Sequence, residues 1–283
     1  NWQEKEQLLL KSSNYGDDQD RPIQKSDGSW SYLAADFAYA KDKIDRGFEC
    51  LIYILGADHS GYVKRIKAVI EALSQGKVKS DIRICQLVNF VKGAEPIKMS
   101  KRSGNFMTVS DVINEVGKDI IRFIMLTRRN DVPLDFDFTK VKEQSKDNPV
   151  FYVQYAHVRA KSILAKAKET ISSAYEVFTN REFNLSLLNS EEEIQLIKLL
   201  ASWPKILSSS AITREPQRIA YYLIDIASRF HSIWNLGKEN NDYRFNIEDN
   251  LELTAARLAL VESIRKVIAS GFELIGVTPM DKM

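Results

Sequence analysis

The hydrophobic periodicity of this 283-residue chain changes near Asn148-Pro149, and that change limits the folds the chain can adopt. Before this point, short apolar runs that suit strands alternate with helical spacing, which is the pattern of an α/β structure. After it, apolar residues recur at the three- and four-residue spacing of helices. The sequence therefore predicts an α/β part over residues 1–147 and an all-helical part over residues 148–283. The long helical periods cover residues 150–171, 191–201, 217–236 and 251–275. Ser190 and Glu193 have the spacing of a capping box for the second of these, and in the first part Ser110 is expected to cap a helix that begins at Asp111.

A strand–helix–strand pattern lies inside the first part. Residues 51–55 form a short apolar run that ends at Gly56, and residues 62–73 follow with helical spacing. Residues 82–88 form a second apolar run. Such a unit predicts two buried parallel strands joined by a right-handed crossover helix. Ligands of these folds bind beyond the carboxyl ends of the strands, where residues 56–61 should lie.

Composition narrows the class of protein. Hydrophobic residues make up 44% and charged residues 28% of the chain, as in ordinary soluble globular proteins. No apolar run is long enough to cross a bilayer and no signal-like segment opens the chain, so we expect a cytoplasmic protein without a membrane partner. Cys50 and Cys85 lie in apolar segments and are expected to be buried thiols. Because the net charge is only +2, any contact with nucleic acid must come from local patches.

A basic loop follows the second apolar run. It consists of Lys98, Met99, Ser100, Lys101 and Arg102, with a serine and a glycine directly after it. Such a loop suits a polyphosphate whose negative charge grows during a reaction. The alternative is a solvated basic turn, and the residue types alone leave both interpretations open.

The turn that begins at Gly56 carries Asp58 and His59. A carboxylate just after a strand can accept hydrogen bonds from the hydroxyl groups of a ribose. A histidine beside it can donate or accept a hydrogen bond at neutral pH. A purely structural turn would explain the same residues.

Tyr32 and Asp36 are four residues apart and can face one pocket. A carboxylate and an aromatic ring together suit a guanidinium group, because the acid pairs with the charge and the ring orients it. In the alternative interpretation, Asp36 caps a helix over residues 37–43 and Tyr32 is a half-buried ring beside it.

Aromatic and basic side chains share helical faces in the second part. Tyr152, Tyr155 and Arg159 fall at positions i, i+3 and i+7 of one predicted helix. Phe230 and Trp234 fall at positions i and i+4 of another. Aromatic rings beside an arginine can stack on unpaired RNA bases and neutralise their backbone. The same spacing is typical of core packing, so both interpretations stay open.

The helical part also contains two histidines, His157 and His231. Each is alone in its predicted helix, with no second metal ligand four residues on, so a zinc site is not expected. We interpret both as structural or surface residues.

Several stretches resemble the arginyl-tRNA synthetases, a family of class I aminoacyl-tRNA synthetases. The basic loop resembles the KMSKS signature of that class, in its KMSKR form, and the turn after the first apolar run reads GADHSGY. The closing residues resemble the helical anticodon-binding domain of the family. The resembling stretches cover residues 32–49, 56–62, 95–106, 142–164 and 254–283.

This resemblance implies a fold and an activity. The first part would be the second half of a Rossmann-like catalytic domain, and the second part a helical-bundle anticodon-binding domain. The family activates L-arginine with ATP to arginyl-adenylate and transfers it to the 3′-terminal ribose of tRNA(Arg). ATP would enter with Mg²⁺ as a substrate complex, without a metal site on the protein. The full-length protein is expected to be a monomer.

The resemblance also assigns roles in catalysis. Lys98 and Lys101 would stabilise the transition state in which pyrophosphate leaves, and Ser100 would shape the loop. The residues implied in substrate binding are Gly56, Asp58 and Met99 for ATP and Tyr32, Asp36 and His59 for arginine.

A further set of residues is implied in tRNA binding. These residues match positions near the anticodon loop in the family: Tyr152, Arg159, Phe230, Trp234 and Met283. The sequence therefore predicts that one face of the helical part contacts RNA.

One signature of class I synthetases is missing. The motif His-x-Gly-His does not occur, because none of the three histidines fits it. We therefore expect that the chain is a part of a synthetase and that it does not form arginyl-adenylate by itself.

The alternative is a non-catalytic tRNA-binding paralogue, and a third option is a class I ligase for cysteine or methionine. The intact motifs at residues 32–36, 56–59 and 98–102 favour the arginine enzyme.

Overall fold

The computed structural model of the chain describes residues 7–93, 95–97 and 107–283. These residues divide into two units. The first unit contains the described residues up to Val88 together with Asn130–Pro133, and the second contains the rest. The division does not coincide with the change of pattern at residue 147, because residues 89–129 group with the helices. Phe123, for example, is fully buried in the helical core.

The first unit is built on a parallel pair of strands. In chain order it contains β1 (Leu8–Leu10), β2 (Arg21–Gln24), α1 (Tyr32–Asp45), β3 (Cys50–Gly56), α2 (Val63–Ser74) and β4 (Lys79–Cys85). β3 and β4 are parallel and pair along their whole length, so the predicted strand–helix–strand unit is confirmed. β4 begins at Lys79 and not at residue 82, because pairing with β3 continues through polar residues that the apolar pattern leaves out.

Only one face of β3 is covered in the described residues. Leu51 packs with Ile66 and Ile70 of α2 in the core of this unit. On the opposite face, Ile54 is 72% exposed and Ile52 is 47% exposed. The apolar run predicted a strand buried on both faces, and that prediction is wrong for the described residues.

The two cysteines lie at opposite ends of this strand pair. Cys50 begins β3 opposite Lys79, and Cys85 ends β4 opposite Gly56. Cys85 is half-buried, but Cys50 is exposed. The prediction of a buried thiol is therefore wrong for Cys50, which lies at the open end of its strand.

Strands and two short helices open the second unit. They are β5 (Val88–Lys92), β6 (Glu95–Pro96), α3 (Val109–Val116), α4 (Lys118–Met125) and β7 (Leu134–Asp137), with β5 in the middle of the sheet. The helix cap predicted at Ser110 is wrong, because α3 begins earlier. Thr108 caps it: its hydroxyl accepts the N–H of Asp111 at 3.1 Å, and the Asp111 carboxylate accepts the N–H of Thr108 at 2.8 Å.

The remaining helices form a bundle. They are α5 (Pro149–Thr170), α6 (Ser172–Asn180), α7 (Glu191–Ala201), α8 (Trp203–Thr213), α9 (Gln217–Glu239) and α10 (Leu251–Leu274). The four predicted periods correspond to α5, α7, α9 and α10 and are confirmed, whereas α6 and α8 were not predicted. Buried side chains of α5, α9 and α10 supply most of the core. Among the described helices, none combines the length and the apolar composition needed to span a membrane.

A buried ion pair joins α7 to α10. Glu193 belongs to the predicted capping box with Ser190, which is confirmed. Its Oε1 also accepts a hydrogen bond from Nε of Arg257 at 2.7 Å. The two side chains are 2% and 5% exposed, so each charge depends on the other for compensation.

Candidate functional site

The basic loop lies outside the described residues. Lys98, Met99, Ser100 and Lys101 fall within residues 98–106, which the structure does not describe. The roles that the family resemblance implies for these four residues stay predictions.

The turn after β3 lies where an α/β fold binds its ligands. Gly56 ends β3, and Ala57–Tyr62 form a 3-10 turn that leads into α2. Asp58 and His59 are exposed in this turn. Because β3 and β4 are parallel, the turn follows the carboxyl end of β3. A Cβ atom at Gly56 would meet no described atom within 4 Å, so a ligand can approach the backbone there.

Tyr32 and Asp36 lie in the first turns of α1. The cap of this helix is Ser31, whose hydroxyl accepts the N–H of Ala34 at 3.3 Å, so the alternative in which Asp36 caps a helix is wrong. Tyr32 is 90% exposed and Asp36 is half-buried. Burial raises the pKa of Tyr62, and the negative charge of Asp36 raises it further. Asp36 therefore lies close to Tyr62, the last residue of the turn that carries Asp58 and His59.

The second unit contains a cavity of about 660 Å³. Its walls come from α5, α9 and the residues that follow α9 and α10. Aromatic and basic side chains dominate the walls: Tyr155, Trp234, Tyr243, Phe245, Arg159, Lys166, Lys238 and Arg244. Glu248 is an acidic residue on the same wall. The cavity therefore combines flat apolar surfaces with an excess of positive charge.

Arg159 lies between two of these aromatic rings. Its guanidinium carbon is 4.3 Å from the centre of the Tyr155 ring and 4.9 Å from that of Trp234. Its Nη1 is 2.5 Å from Nδ1 of His231. Because a guanidinium can only donate, Nδ1 accepts, and the ring hydrogen of His231 is on Nε2, 3.2 Å from the carbonyl oxygen of Tyr152. His231 thus links the backbone of α5 to the guanidinium.

The groups that hold Arg159 are neutral. Burial lowers the pKa of His231 to about 4; its hydrogen bond to Tyr152 opposes this effect, and the charge of Arg159 adds to it. His231 is therefore uncharged near neutral pH. In the described part of the chain, the guanidinium contacts this ring nitrogen and two aromatic rings, with no carboxylate among its contacts. Its positive charge is consequently available to an anionic ligand.

The structure brings together some of the residues predicted to bind tRNA. Arg159, Trp234 and Met283 line the cavity, and Met283 is 52% exposed. Tyr152 is half-buried, with its ring 4.7 Å from that of His231, and is not among the residues that line the cavity. Phe230 is fully buried, so it is a core residue, and its ring has no surface on which a base could stack.

Sequence reasoning missed two residues of this site. Tyr155 was placed on the right helical face but left out of the predicted set, and it is 47% exposed on the cavity wall. His231 was interpreted as structural or surface, and it turns out to be the hydrogen-bond acceptor of Arg159. Its position three residues before Trp234, on the same face of α9, is the signal that could have identified it.

Two family profiles match the chain. The profile described as "tRNA synthetases class I (R), catalytic domain" matches residues 3–163, which is more than half of the chain. The chain belongs to the arginyl-tRNA synthetase family. A second profile, "DALR anticodon binding domain", matches residues 153–283. The predicted family and the predicted fold class, a class I catalytic part followed by a helical anticodon-binding domain, are confirmed.

Relatives within this family extend beyond the chain. The arginine–tRNA ligases of Rickettsia felis and Rickettsia prowazekii are each 67% identical over 282 residues, which cover 100% of this chain and 49% of theirs. The chain thus spans about half the length of the curated relatives it matches.

Solved structures agree with the family. A Campylobacter jejuni structure assigned to arginyl-tRNA synthetase is 33% identical, with a TM-score of 0.83, and the match covers 100% of this chain and 59% of that one. The arginyl-tRNA synthetase of Thermus thermophilus is 19% identical, with a TM-score of 0.68, over 98% of this chain and 54% of its own. The second likeness concerns the fold alone.

Proposed function

We propose that this chain is about half of an arginine–tRNA ligase and that it carries the RNA-binding part of the enzyme. The full-length protein would activate L-arginine with ATP to arginyl-adenylate and transfer the arginyl group to the 3′-terminal ribose of tRNA(Arg). Membership of the family and 67% identity to curated arginine–tRNA ligases support this activity. We further propose that the full-length protein works as a monomer in the cytoplasm.

The observation that carries the proposal is the environment of Arg159. A guanidinium held by neutral groups, at the wall of a cavity with exposed aromatic surface, suits an unpaired nucleotide. The base would stack on a ring such as that of Tyr155, and the cation would pair with a phosphate or with a base oxygen. An anticodon loop presents unpaired, splayed nucleotides of this kind. We therefore propose that the cavity binds the anticodon loop of tRNA(Arg).

The first unit would contribute to amino-acid activation. In this proposal, Asp58 and the open backbone at Gly56 hold the ribose of ATP, and Tyr32, Asp36 and His59 bind arginine. The carboxylate of Asp36 would pair with the substrate guanidinium, while Tyr32 supplies a ring beside it. Tyr62 lies against Asp36 and would orient it.

The basic loop would act on the phosphates of ATP. Lys98 and Lys101 would stabilise the charge that spreads over the phosphate oxygens as pyrophosphate leaves, with Ser100 and Met99 shaping and lining the loop. Mg²⁺ would arrive with ATP as part of the substrate. In the described residues, no group of three or more histidine, cysteine, aspartate or glutamate side chains is arranged to hold a metal ion.

Binding of tRNA tests the proposal directly. Arg159→Gln should raise the dissociation constant for tRNA(Arg) by about tenfold, because one charge-assisted or stacking contact is worth about 1–3 kcal/mol. It should also lower the slope of the logarithm of affinity against the logarithm of salt concentration by about 0.7. Arg229→Gln is the matched control, since Arg229 is exposed on α9 and does not line the cavity. Equal affinities of the two variants would remove Arg159 from the interface.

A second measurement separates the ligase from a non-catalytic paralogue. The full-length protein should charge tRNA(Arg) with arginine, whereas this chain alone should not catalyse pyrophosphate exchange, since it lacks the His-x-Gly-His motif. Binding of tRNA(Arg) by a full-length protein that cannot form arginyl-adenylate would favour the paralogue.

A further inference from the structure

Residues 276–283, which we call the closing segment, are held along α5 by a buried glutamine. The side chain of Gln154 is 2% exposed. Its Nε2 donates to the carbonyl oxygen of Thr278 at 2.8 Å, and its Oε1 accepts the N–H of Met280 at 2.8 Å. One side-chain amide therefore satisfies a donor and an acceptor of the segment backbone, as a neighbouring strand would do.

Two further residues on the same face of α5 continue this contact. His157 is 3% exposed, and its Nδ1 lies 2.9 Å from the carbonyl oxygen of Met280. Because a carbonyl can only accept, Nδ1 carries the hydrogen and donates it. Lys161, one turn further on, pairs with Asp281 at 2.5 Å. The segment therefore follows α5 in the same direction as the helix, from Gln154 toward the cavity.

Hydrogen bonding and backbone conformation also fix the position where the closing segment begins. Nε of Arg122 in α4 donates to the carbonyl oxygen of Ile275 at 2.7 Å. Gly276 follows with φ of +71°, a left-handed conformation that favours glycine. A Cβ atom there would collide with the Arg122 guanidinium, so a side chain could fit only if that guanidinium moved.

After Val277, which is part of the hydrophobic core, hydrophobic burial contributes little to this docking. Val277 is 3% exposed, but Met280 is 40% exposed and Met283 is 52% exposed. Buried polar groups such as Gln154 and His157 are costly unless they are hydrogen-bonded, and these two bond the closing segment. The segment is therefore held in register by hydrogen bonds, and its last residue, Met283, lines the cavity together with Arg159.

We infer that Gln154 is a positioning residue for RNA binding, which acts by holding the closing segment so that Met283 forms part of the cavity wall. Gln154 itself does not line the cavity. The flexible, polarisable thioether of Met283 suits contact with the face or edge of a base. This inference rests on the proposed function, because it names a residue that shapes the proposed anticodon-loop site from outside it.

The first test measures the docking of the segment without RNA. Gln154→Met in the full-length protein keeps the size of the side chain and removes both hydrogen bonds. Amide hydrogen exchange at Met280 should become at least about tenfold faster, since this N–H loses its acceptor. Gln217→Met is the matched control, because Gln217 is also buried, at 5% exposed, but it neither bonds the segment nor lines the cavity.

The second test measures the affinity for tRNA(Arg). Gln154→Met should raise the dissociation constant by about three- to tenfold, while Gln217→Met should leave it within about twofold. Met280→Pro removes the same N–H from the side of the segment and leaves the core unchanged, so it should reproduce the loss even if Gln154→Met folds poorly.

A double-mutant cycle with Met283→Ala distinguishes positioning from a general loss of structure. If Gln154 acts through Met283, Met283→Ala should weaken binding, and adding Gln154→Met to it should change the affinity by less than about twofold. If the double variant lost affinity by the product of the two single-variant factors, the two residues would act independently and the inference would be overturned. The inference would also be overturned if Met283→Ala bound tRNA(Arg) as tightly as the natural protein while Arg159→Gln still lost affinity. That result would leave the proposed function unaffected. A full-length protein that binds no tRNA(Arg) would overturn the proposed function and this inference together.

Discussion

Acid should destabilise the helical unit through His231, and the size of the effect follows from its burial. His231 is 6% exposed, and burial lowers its pKa from the ordinary 6.5 to about 4. Each pKa unit corresponds to about 1.36 kcal/mol, so the difference between the unfolded and the folded pKa of His231 represents about 3 kcal/mol of folding free energy. The unfolded chain takes up a proton as the pH falls through 6.5, whereas the folded chain does so only near pH 4. The stability of the folded state that depends on neutral His231 is therefore fully present above pH 6.5 and is lost progressively down to about pH 4. About 2 kcal/mol of it is lost by about pH 5.

The assay compares urea unfolding at about pH 7.5 and about pH 5, followed by far-ultraviolet circular dichroism, which reports mainly the helices. His231→Gln provides the comparison, because glutamine can still form a hydrogen bond but does not titrate. The variant will have a different stability at both pH values. The informative quantity is the loss of unfolding free energy between the two pH values, which should be smaller in the variant by about 2 kcal/mol.

The effects of other groups that titrate in this range cancel when the acid loss of the variant is subtracted from that of the natural protein. Burial also lowers the pKa of His157, so both proteins should keep the acid sensitivity that comes from this residue. His59→Gln serves as the control, since His59 is exposed in the other unit. An identical acid loss in the natural protein and in His231→Gln would refute the reasoning. It would mean that His231 is solvated, and the conclusion that an uncharged His231 accepts a hydrogen bond from Arg159 would be wrong.

Two further substitutions probe the core and the proposed amino-acid site. Glu193→Ala should lower the free energy of unfolding by about 3–5 kcal/mol, measured by urea denaturation, because it leaves Arg257 buried without its counter-charge; a loss below about 1 kcal/mol would show that water reaches the pair. In the full-length protein, Asp36→Asn should raise the KM for arginine by at least about tenfold, with Asp42→Asn on the exposed side of α1 as the control. An unchanged KM in Asp36→Asn would exclude this carboxylate from the arginine pocket.

Local patterns predicted four of the six α-helices described in residues 148–283. The boundaries of α7 follow from the capping box of Ser190 and from helical spacing over one turn after another, both of which are short-range effects. The missed helices, α6 and α8, begin without a side-chain cap, so they lack the start signal that marks α7. The cap of α3 was misplaced by two residues because Thr108 and Ser110 are both suitable caps, and only the hydrogen bonds with Asp111 distinguish them.

The candidate sites were predictable to different degrees. Asp58, His59, Tyr32 and Asp36 were singled out from short motifs in the sequence, and their ligand-binding roles stay predictions. The aromatic face of α5 was found from spacing, but spacing could not tell a surface ring from a core ring. Burial decides that question, since it depends on what packs opposite, and it moved Phe230 into the core.

The amino-acid sequence by itself determined the family, one strand–helix–strand unit, four helices of the second part and the residue types proposed to bind RNA, because each of these is encoded in periodicity or in contiguous motifs. Tertiary structure alone decided which of these residues meet. Arg159 and His231 are separated by 72 positions, and Gln154 and Met280 by 126, yet both pairs are within hydrogen-bond distance. Contacts at such separations depend on how α5, α9 and the residues after α10 pack together, and no local pattern records that packing.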